Sequence, residues 1–253
     1  MTGDVFSLDG RIAVVTGGAG KLGRRIVRGL EERGARVAVF DLDDDERVDV
    51  TDREAVERAT ARISDELGVP HVLVNAAALD SPPDAPPEEV GPFESYPEES
   101  FDQVMDVNVK GTFLCCQAVG ARMASAGRGS IVNISSIYGM LSPVQELYEF
   151  RRRGGTEFFK PVAYSVSKSA LYNLTRYLAT YWARSGVRVN TLTLAGVFDD
   201  QPQEFLDAYT ARIPIGRMAD ADEVLGPVIF LASDASSYVT GANLVVDGGW
   251  SAW

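Results

Sequence analysis

Short apolar runs alternate with helical patterns along the whole chain, and this alternation constrains the fold more than any other feature. The clearest apolar runs lie at residues 12–15, 36–40, 72–77, 130–134, 187–194 and 243–247. Strands joined through helices form a parallel sheet by right-handed crossovers, and the helices cover both faces of that sheet. The sequence therefore predicts an α/β fold with a doubly wound parallel sheet of about seven strands.

Length and net charge limit the number of domains and the kinds of partner that we expect. A chain of 253 residues that is 45% hydrophobic suits one domain, and we expect a single domain over residues 1–253. The formal charge of −12 argues against nucleic-acid and anionic-membrane partners, because both need an electropositive face. We see no signal-peptide pattern and no apolar run of about 20 residues, so we expect a cytoplasmic protein.

The first apolar run ends in a glycine turn, residues 16–23, and a helical pattern follows it to about residue 33. Such a turn lets the backbone approach a pyrophosphate, and the positive end of the helix stabilises the anion. The next run ends in Asp41, where an acid accepts hydrogen bonds from an adenosine ribose and repels a 2′-phosphate. The pattern predicts a Rossmann-like dinucleotide site that favours NAD over NADP.

Tyr164 and Lys168 lie four residues apart in a helical pattern that begins after Pro161 and runs to about residue 184. This spacing places both side chains on one helix face, one turn apart. An ammonium close to a phenol favours the phenolate and lowers its pKa from about 10. The two residues are therefore a candidate acid/base pair, and the alternative is an unrelated surface tyrosine and lysine.

Histidine and cysteine offer little other chemistry. His71 is the only histidine, which nearly excludes His-centred catalysis and His-rich metal sites. Cys115 and Cys116 are neighbours in an apolar helical pattern, where we interpret them as packing residues and not as a disulfide or metal ligands. No metal site is predicted.

Two long segments follow the carboxyl ends of apolar runs and are predicted to be insertions at the active site. Residues 78–97 contain six prolines, too many for regular structure. Residues 137–160 form the second segment. Long loops at this edge of a parallel sheet line ligand sites.

Taken in order, the glycine turn, Asp41, Asn108, Ser136 and Tyr164-x-x-x-Lys168 resemble the short-chain dehydrogenase/reductase family over nearly the whole length. The resemblance implies that Tyr164 is the general acid/base and that Lys168 tunes it and binds the nicotinamide ribose. It implies that Ser136 polarises the substrate carbonyl. Asn108 is implied as the fourth member, in a kinked helix that holds a water in the proton relay.

The resemblance also implies the residues that contact NAD. They are Gly17, Gly20, Lys21, Leu22, Gly23, Asp41, Asp49, Val50, Asn75, Ala76, Ala77, Val197 and the catalytic Tyr164 and Lys168. Within this set Asp49 and Val50 resemble the adenine contacts, and Asn75 resembles the residue that supports the central strand.

The chain departs from the family pattern at the cofactor site. Lys21 replaces a glycine of the turn, and a cation there could contact a phosphate. Leu194 and Ala195 stand in place of the customary Pro-Gly, and Asp199 falls near the threonine that helps to hold the carboxamide. Ala78 replaces the last glycine after residues 75–77.

The segment between Ser136 and Tyr164 is longer than is usual in the family. It resembles members found with bacterial surface-sugar and flagellin-sugar biosynthesis, which implies a sugar-, polyol- or cyclitol-like substrate. Its four positive charges, Arg151, Arg152, Arg153 and Lys160, suggest a lid that selects an anionic polyhydroxylated substrate. The alternative is a solvated charge run or an ion pair with a neighbouring subunit.

The expected function is that of an NAD-dependent oxidoreductase acting on a secondary alcohol or ketone. Two alternatives remain: a 3-oxoacyl-thioester reductase, and a non-catalytic dinucleotide-binding protein with a redox-sensing or structural role. The apolar last run and the aromatic Trp250 and Trp253 also indicate a homo-oligomer, a tetramer or a dimer.

Overall fold

Six parallel strands form one sheet in the order β2-β1-β3-β4-β5-β6 in the computed structural model, which describes residues 4–81, 85–155 and 157–253. The strands are β1 (Ile12–Thr16), β2 (Arg36–Phe40), β3 (Val72–Asn75), β4 (Gly129–Ser136), β5 (Val187–Leu194) and β6 (Asn243–Val246). Val15 of β1 lies opposite Val39 of β2 and Val74 of β3, which fixes the register at the centre.

Helices connect the strands and cover both faces of the sheet, as expected for right-handed parallel crossovers. They are α1 (Lys21–Glu32), α2 (Arg53–Glu66), α3 (Glu98–Met105), α4 (Thr112–Ser125), α5 (Ile137–Met140), α6 (Glu149–Arg153), α7 (Val162–Trp182), α8 (Gln203–Thr210) and α9 (Leu225–Ala232). The predicted Rossmann-like α/β fold is confirmed. The predicted count of about seven strands is one too high, since the described residues form six, one for each of the six apolar runs.

The core lies in two layers, one on each face of the sheet. Successive residues of a strand point to opposite faces. Val14 therefore packs in one cluster with Ile131 and Val189, whereas the adjacent Val15 packs in the other with Leu192. Because both faces are buried, the strands read as continuous apolar runs in the sequence, and this is why they could be located there.

The histidine and the two cysteines are buried. His71 immediately precedes β3, at the edge of the sheet opposite the carboxyl ends, and its Nδ1 accepts a hydrogen bond from the Ile12 amide at 3.1 Å. Burial lowers the pKa of His71 to about 4, so the ring is neutral at pH 7. Cys115 and Cys116 are buried in the core, and burial raises the pKa of Cys116 to about 12.

The two predicted insertions occupy the carboxyl-terminal edge of the sheet. Pro82 and Pro83 of the first lie outside the described residues; its later part contains two 3-10 turns, Pro87–Val90 and Phe93–Ser95. The second insertion contains α5, a 3-10 turn at Gln145–Tyr148, and α6. In residues 4–81, 85–155 and 157–253, no helix is both long and apolar enough to cross a bilayer.

Candidate active site

Three predicted catalytic side chains meet where β4 and α7 come together. Ser136 ends β4, Tyr164 lies in the first turn of α7, and both line one cavity of about 440 Å³. Lys168 follows one turn later, with its Nζ 5.7 Å from the centroid of the Tyr164 ring. The preceding serine, Ser135, donates its hydroxyl to the Lys168 carbonyl at 2.9 Å, so Ser136 is the serine that faces the cavity.

The protonation of this group is governed by burial. Lys168 is 4% exposed and its ammonium donates to the Ile134 carbonyl at 2.9 Å. Burial lowers the pKa of Lys168 to about 8, partly opposed by the nearby Asp80 carboxylate. Burial and Asp80 raise the pKa of Tyr164 above its ordinary value, while the hydrogen bond with Ser136 lowers it.

The direction of the Tyr164 pKa shift corrects the prediction that Lys168 lowers it. The loss of hydration around the phenol is the largest cause of the shift, and the Asp80 carboxylate adds to it, so both favour the neutral phenol. Tyr164 is therefore a neutral phenol at pH 7. A neutral phenol is the proton donor that reduction of a ketone requires.

Asn108 lies in a widened helical turn, the π turn Asp106–Gly111, between α3 and α4. The predicted irregularity of this helix is thus present. The Asn108 amide donates to the Leu79 carbonyl at 2.8 Å and to the Ser167 hydroxyl at 2.9 Å, and its side-chain oxygen accepts from the Leu79 amide at 2.7 Å. Asn108 thereby connects the loop after β3 to α7; its part in a water relay stays a prediction.

The glycine turn fits a dinucleotide pyrophosphate. Gly17 has φ +68°, and a side chain there would meet the backbone of Ala77 at 2.7 Å. A Cβ on Gly23 would lie 1.9 Å from the Gly17 carbonyl oxygen. Helix α1 follows Gly20 without a side-chain cap and without an acidic residue in its first turn, so its first N–H groups are open to an anion.

Asp41 is held beside this turn at the end of β2. Its two carboxylate oxygens accept hydrogen bonds from the Ala19 amide at 2.9 Å and from the Asp43 amide at 3.0 Å. Two N–H donors fix the orientation of the carboxylate without neutralising its charge. The placement fits the predicted role toward an adenosine ribose.

The other predicted cofactor residues lie in α1 and at or after the carboxyl ends of β2, β3 and β5. The Ala76 and Ala77 amides donate to the Thr16 hydroxyl at 3.1 and 3.0 Å, which ties the end of β3 to the glycine turn. Asn75 donates to the Asn133 side chain at 2.8 Å, linking β3 to β4. The remaining members are Leu22, packed on the core, Asp49, whose carboxylate accepts from Thr51, Val50, which is buried, and Val197, which lines the cavity.

Two departures from the family pattern contact each other. The Lys21 ammonium, at the start of α1, donates to the Asp199 carboxylate at 2.6 Å. Asp199 lies in the segment after β5, and its carboxylate accepts the hydrogen bond from Lys21. The ion pair therefore joins the start of α1 to the segment after β5.

We expect this ion pair to slow the release of NADH. Lys21→Met and Asp199→Asn should each raise the dissociation rate about two- to fivefold, the scale of an exposed ion pair, and the double variant should show no further increase. Stopped-flow fluorescence of NADH leaving the apo-protein measures these rates. If Asp199→Asn leaves the rate unchanged while Lys21→Met raises it, Lys21 acts on the cofactor alone and the coupling is refuted.

Aromatic side chains that the sequence did not single out line the same cavity as Ser136 and Tyr164. We call Tyr148, Phe158, Phe205 and Tyr209 the aromatic wall. Tyr148 bridges Phe158 and Phe205, with ring centroids 4.8 and 5.7 Å apart, and Phe205 stacks on Tyr209 at 5.2 Å. The sequence signal for this wall was the density of aromatic residues in the second insertion, which supplies Tyr148 and Phe158. Phe205 and Tyr209 come from α8, which lies far away in sequence.

The structure divides the predicted basic cluster. Arg151 lines the cavity. Arg152 donates to the carbonyls of Phe158 at 2.8 Å and Gln145 at 3.0 Å, so it fixes the loop. Arg153 pairs with Glu149 at 2.7 Å on the surface, and its side chain is 77% exposed.

Lys160 also reaches the cavity but is already paired. Its ammonium forms an ion pair with Asp80 and lies 5.4 Å from the centroid of the Tyr164 ring. The pair borders Tyr164, and Asp80 influences the pKa of both Tyr164 and Lys168. Asp80 was not identified from the sequence, since a single carboxylate in a proline-rich loop carries no pattern.

Comparisons with known proteins agree with this geometry. A family model described as enoyl-(acyl carrier protein) reductase matches residues 17–251. A D-threitol dehydrogenase of Mycolicibacterium smegmatis is 33% identical over 97% of this chain and 95% of its own length.

Two solved structures are similar over almost the full length. A short-chain dehydrogenase of Leptospira borgpetersenii with bound NAD⁺ has a TM-score of 0.86 at 30% identity, covering 99% of this chain and 96% of that one. A gluconate 5-dehydrogenase of Burkholderia cenocepacia in complex with NADP and tartrate has a TM-score of 0.85 at 29% identity, covering 99% and 98%. These neighbours bind nicotinamide dinucleotides of both kinds.

Proposed function

The chain belongs to the short-chain dehydrogenase/reductase family, and from this premise we propose that it is an NAD(H)-dependent oxidoreductase of secondary alcohols and ketones. The proposed substrate is sugar-, polyol- or cyclitol-like. The observation that carries the proposal is that Ser136 and Tyr164 line one cavity and that the Lys168 Nζ lies 5.7 Å from the centroid of the Tyr164 ring. The names of the threitol and gluconate dehydrogenases among its relatives support the alcohol as the substrate class.

Ser136, Tyr164 and Lys168 have separate roles in the proposed reaction. When a ketone is reduced, negative charge develops on its oxygen, and the Ser136 and Tyr164 hydroxyls are the donors available to it. Tyr164 then gives up its proton, and the nearby Lys168 ammonium stabilises the phenolate that remains. In alcohol oxidation the same phenol oxygen takes the proton back. The bound nicotinamide supplies or accepts the hydride.

Steady-state turnover distinguishes this proposal from the two alternatives. The purified protein is assayed with NAD⁺ and a panel of polyols, sugar acids and ring alcohols, and with NADH or NADPH and acetoacetyl-CoA. Oxidation of an alcohol in the panel supports the proposal. Reduction of the thioester in preference to all alcohol and keto substrates favours the acyl-thioester reductase, and NADH binding without any turnover favours a non-catalytic role.

Asp41 should make NADH the preferred coenzyme. Its carboxylate accepts hydrogen bonds from ribose hydroxyls and repels a 2′-phosphate, so NADPH should bind about tenfold more weakly or worse. Asp41→Ser should remove most of this difference, whereas Asp45→Ser, which removes an exposed carboxylate four residues further on, should not. Fluorescence titration with both coenzymes measures the affinities. Tighter binding of NADPH by the unaltered protein would contradict the assignment.

We also propose that the protein is a homo-oligomer, a tetramer or a dimer. Trp250 does not contribute to this proposal, because it packs inside the chain against Tyr209, with ring centroids 4.6 Å apart. Trp253 remains 82% exposed, and Tyr177 and Tyr181 of α7 are 63% and 67% exposed. Apolar surface of this kind favours association. Light scattering at micromolar concentration should give a mass above that of one chain, and a monomeric mass would refute the proposal.

A further inference from the structure

We infer that the substrate is a hydroxy acid with a compact carbon skeleton, best fitted by a ring, whose carboxylate binds Arg151 while its hydroxyl meets Ser136 and Tyr164. The inference rests on the proposed oxidoreductase function and narrows its substrate class. Arg151, Ser136 and Tyr164 line the same cavity of about 440 Å³. This volume lies in the range of small-ligand pockets.

Arg151 is an exposed cation that lines this cavity and forms no ion pair with a carboxylate of the described residues. Its guanidinium carbon lies 4.3 Å from the centroid of Phe158, so the group stacks on the ring. No side-chain or backbone acceptor of the described residues is hydrogen-bonded to it. A stacked guanidinium keeps its N–H edge free, and that edge matches a carboxylate in a bidentate manner.

The loop holds Arg151 in this position. The next residue, Arg152, binds the carbonyls of both Gln145 and Phe158, and these two residues lie on either side of α6 in the sequence. The bonds fix α6 and the Phe158 ring relative to each other. Arg151 is therefore positioned before any ligand arrives, which reduces the entropy lost on binding.

Most other polar groups around the cavity are already engaged. Asp80 and Lys160 neutralise each other. The Gln201 amide donates to the Val197 carbonyl at 3.0 Å and its oxygen accepts from the Asp199 amide at 2.8 Å. The Tyr209 hydroxyl accepts from the Gly196 amide at 2.7 Å.

The polar groups left for a substrate are the hydroxyls and the guanidinium that this cavity presents. Beyond Ser136, Tyr164 and Arg151, the buried Tyr138 hydroxyl has no hydrogen-bond partner among the described residues. The Tyr209 hydroxyl, which accepts from the Gly196 amide, can still donate its proton. The aromatic wall lines the same cavity and offers a flat surface on which a ring packs with little entropy to lose.

Binding of two probe molecules tests the inference without requiring turnover. Cyclohexanecarboxylate and the neutral cyclohexanecarboxamide are titrated calorimetrically into the protein saturated with NADH. The carboxylate should bind about tenfold or more tightly than the amide, because its hydrogen bonds to Arg151 are charge-assisted. Arg151→Gln should abolish this preference. Arg153→Gln, which alters the adjacent surface arginine, should preserve it.

Turnover separates failure of the inference from failure of the proposed function. With NAD⁺, 4-hydroxycyclohexanecarboxylate should have a higher kcat/KM than cyclohexanol or threitol, and Arg151→Gln should raise its KM with little change in kcat. Equal binding of the two probes, or an Arg151→Gln variant that keeps the preference, overturns the inference even if threitol is oxidised. Selective carboxylate binding through Arg151 without oxidation of any alcohol supports the site and refutes the oxidoreductase proposal.

Discussion

Tyr164→Phe is expected to lower turnover about 10²-fold or more while leaving NADH affinity within about twofold of the unaltered protein. The substitution removes only the phenolic hydroxyl, and the ring remains to pack beside Lys160 and Lys168. The lost step is the proton transfer between that hydroxyl and the substrate oxygen. Initial rates of alcohol oxidation, with NADH binding by fluorescence, separate the chemical loss from a binding loss.

Tyr177→Phe is the matched control for this variant. Tyr177 lies on the same helix, α7, but it is 63% exposed and stacks on Tyr181, so its hydroxyl should not affect turnover. Retention of more than about a third of the activity by Tyr164→Phe would place the acid/base chemistry elsewhere. The Ser136 hydroxyl, which lines the same cavity, would then be the first candidate.

Gly23→Ala should abolish measurable NADH binding and reduce thermal stability. The added Cβ would lie 1.9 Å from the Gly17 carbonyl oxygen and 2.7 Å from the Gly18 Cα, so the glycine turn must move away from α1. Both obstacles are backbone, which cannot rotate aside, and overpacking of this kind costs about 1–3 kcal/mol or more. The displaced turn would no longer present its N–H groups to a pyrophosphate.

Gly226→Ala is the control, because a Cβ there meets nothing within 4 Å in helix α9. That substitution should leave NADH binding unchanged and hold or raise the melting temperature, since alanine favours the helix. Thermal unfolding with and without NADH measures both effects. If Gly23→Ala binds NADH normally, the turn can adjust to the side chain and does not cradle the pyrophosphate as proposed.

Local sequence patterns were sufficient to predict the fold class and the candidate acid/base pair. Strands buried on both faces produce continuous apolar runs, and a helix places Tyr164 and Lys168 one turn apart whatever surrounds them. These features depend on residues close in sequence. The positions of the six strands and the Tyr164–Lys168 pair could therefore be predicted from local patterns, whereas Ser136 and Asn108 were implied by the family resemblance.

Features that depend on distant residues could not be predicted. Lys21 and Asp199 are 178 positions apart, and neither alone indicates its partner. Arg151, Arg152 and Arg153 are adjacent in sequence, but successive residues of a helix point about 100° apart, so only one of them faces the cavity. The raised pKa of Tyr164 also followed from burial, which the Tyr-Lys spacing does not report.

The aromatic wall has a consequence for how this protein could diversify. Ser136, Tyr164 and Lys168 lie on β4 and α7, whereas the wall comes from the second insertion and from α8. Its rings pack in one cluster that the Tyr164 ring also joins. Substitutions in the wall can therefore change substrate specificity while Ser136, Tyr164 and Lys168 stay on β4 and α7, but the packing around the Tyr164 ring changes with them.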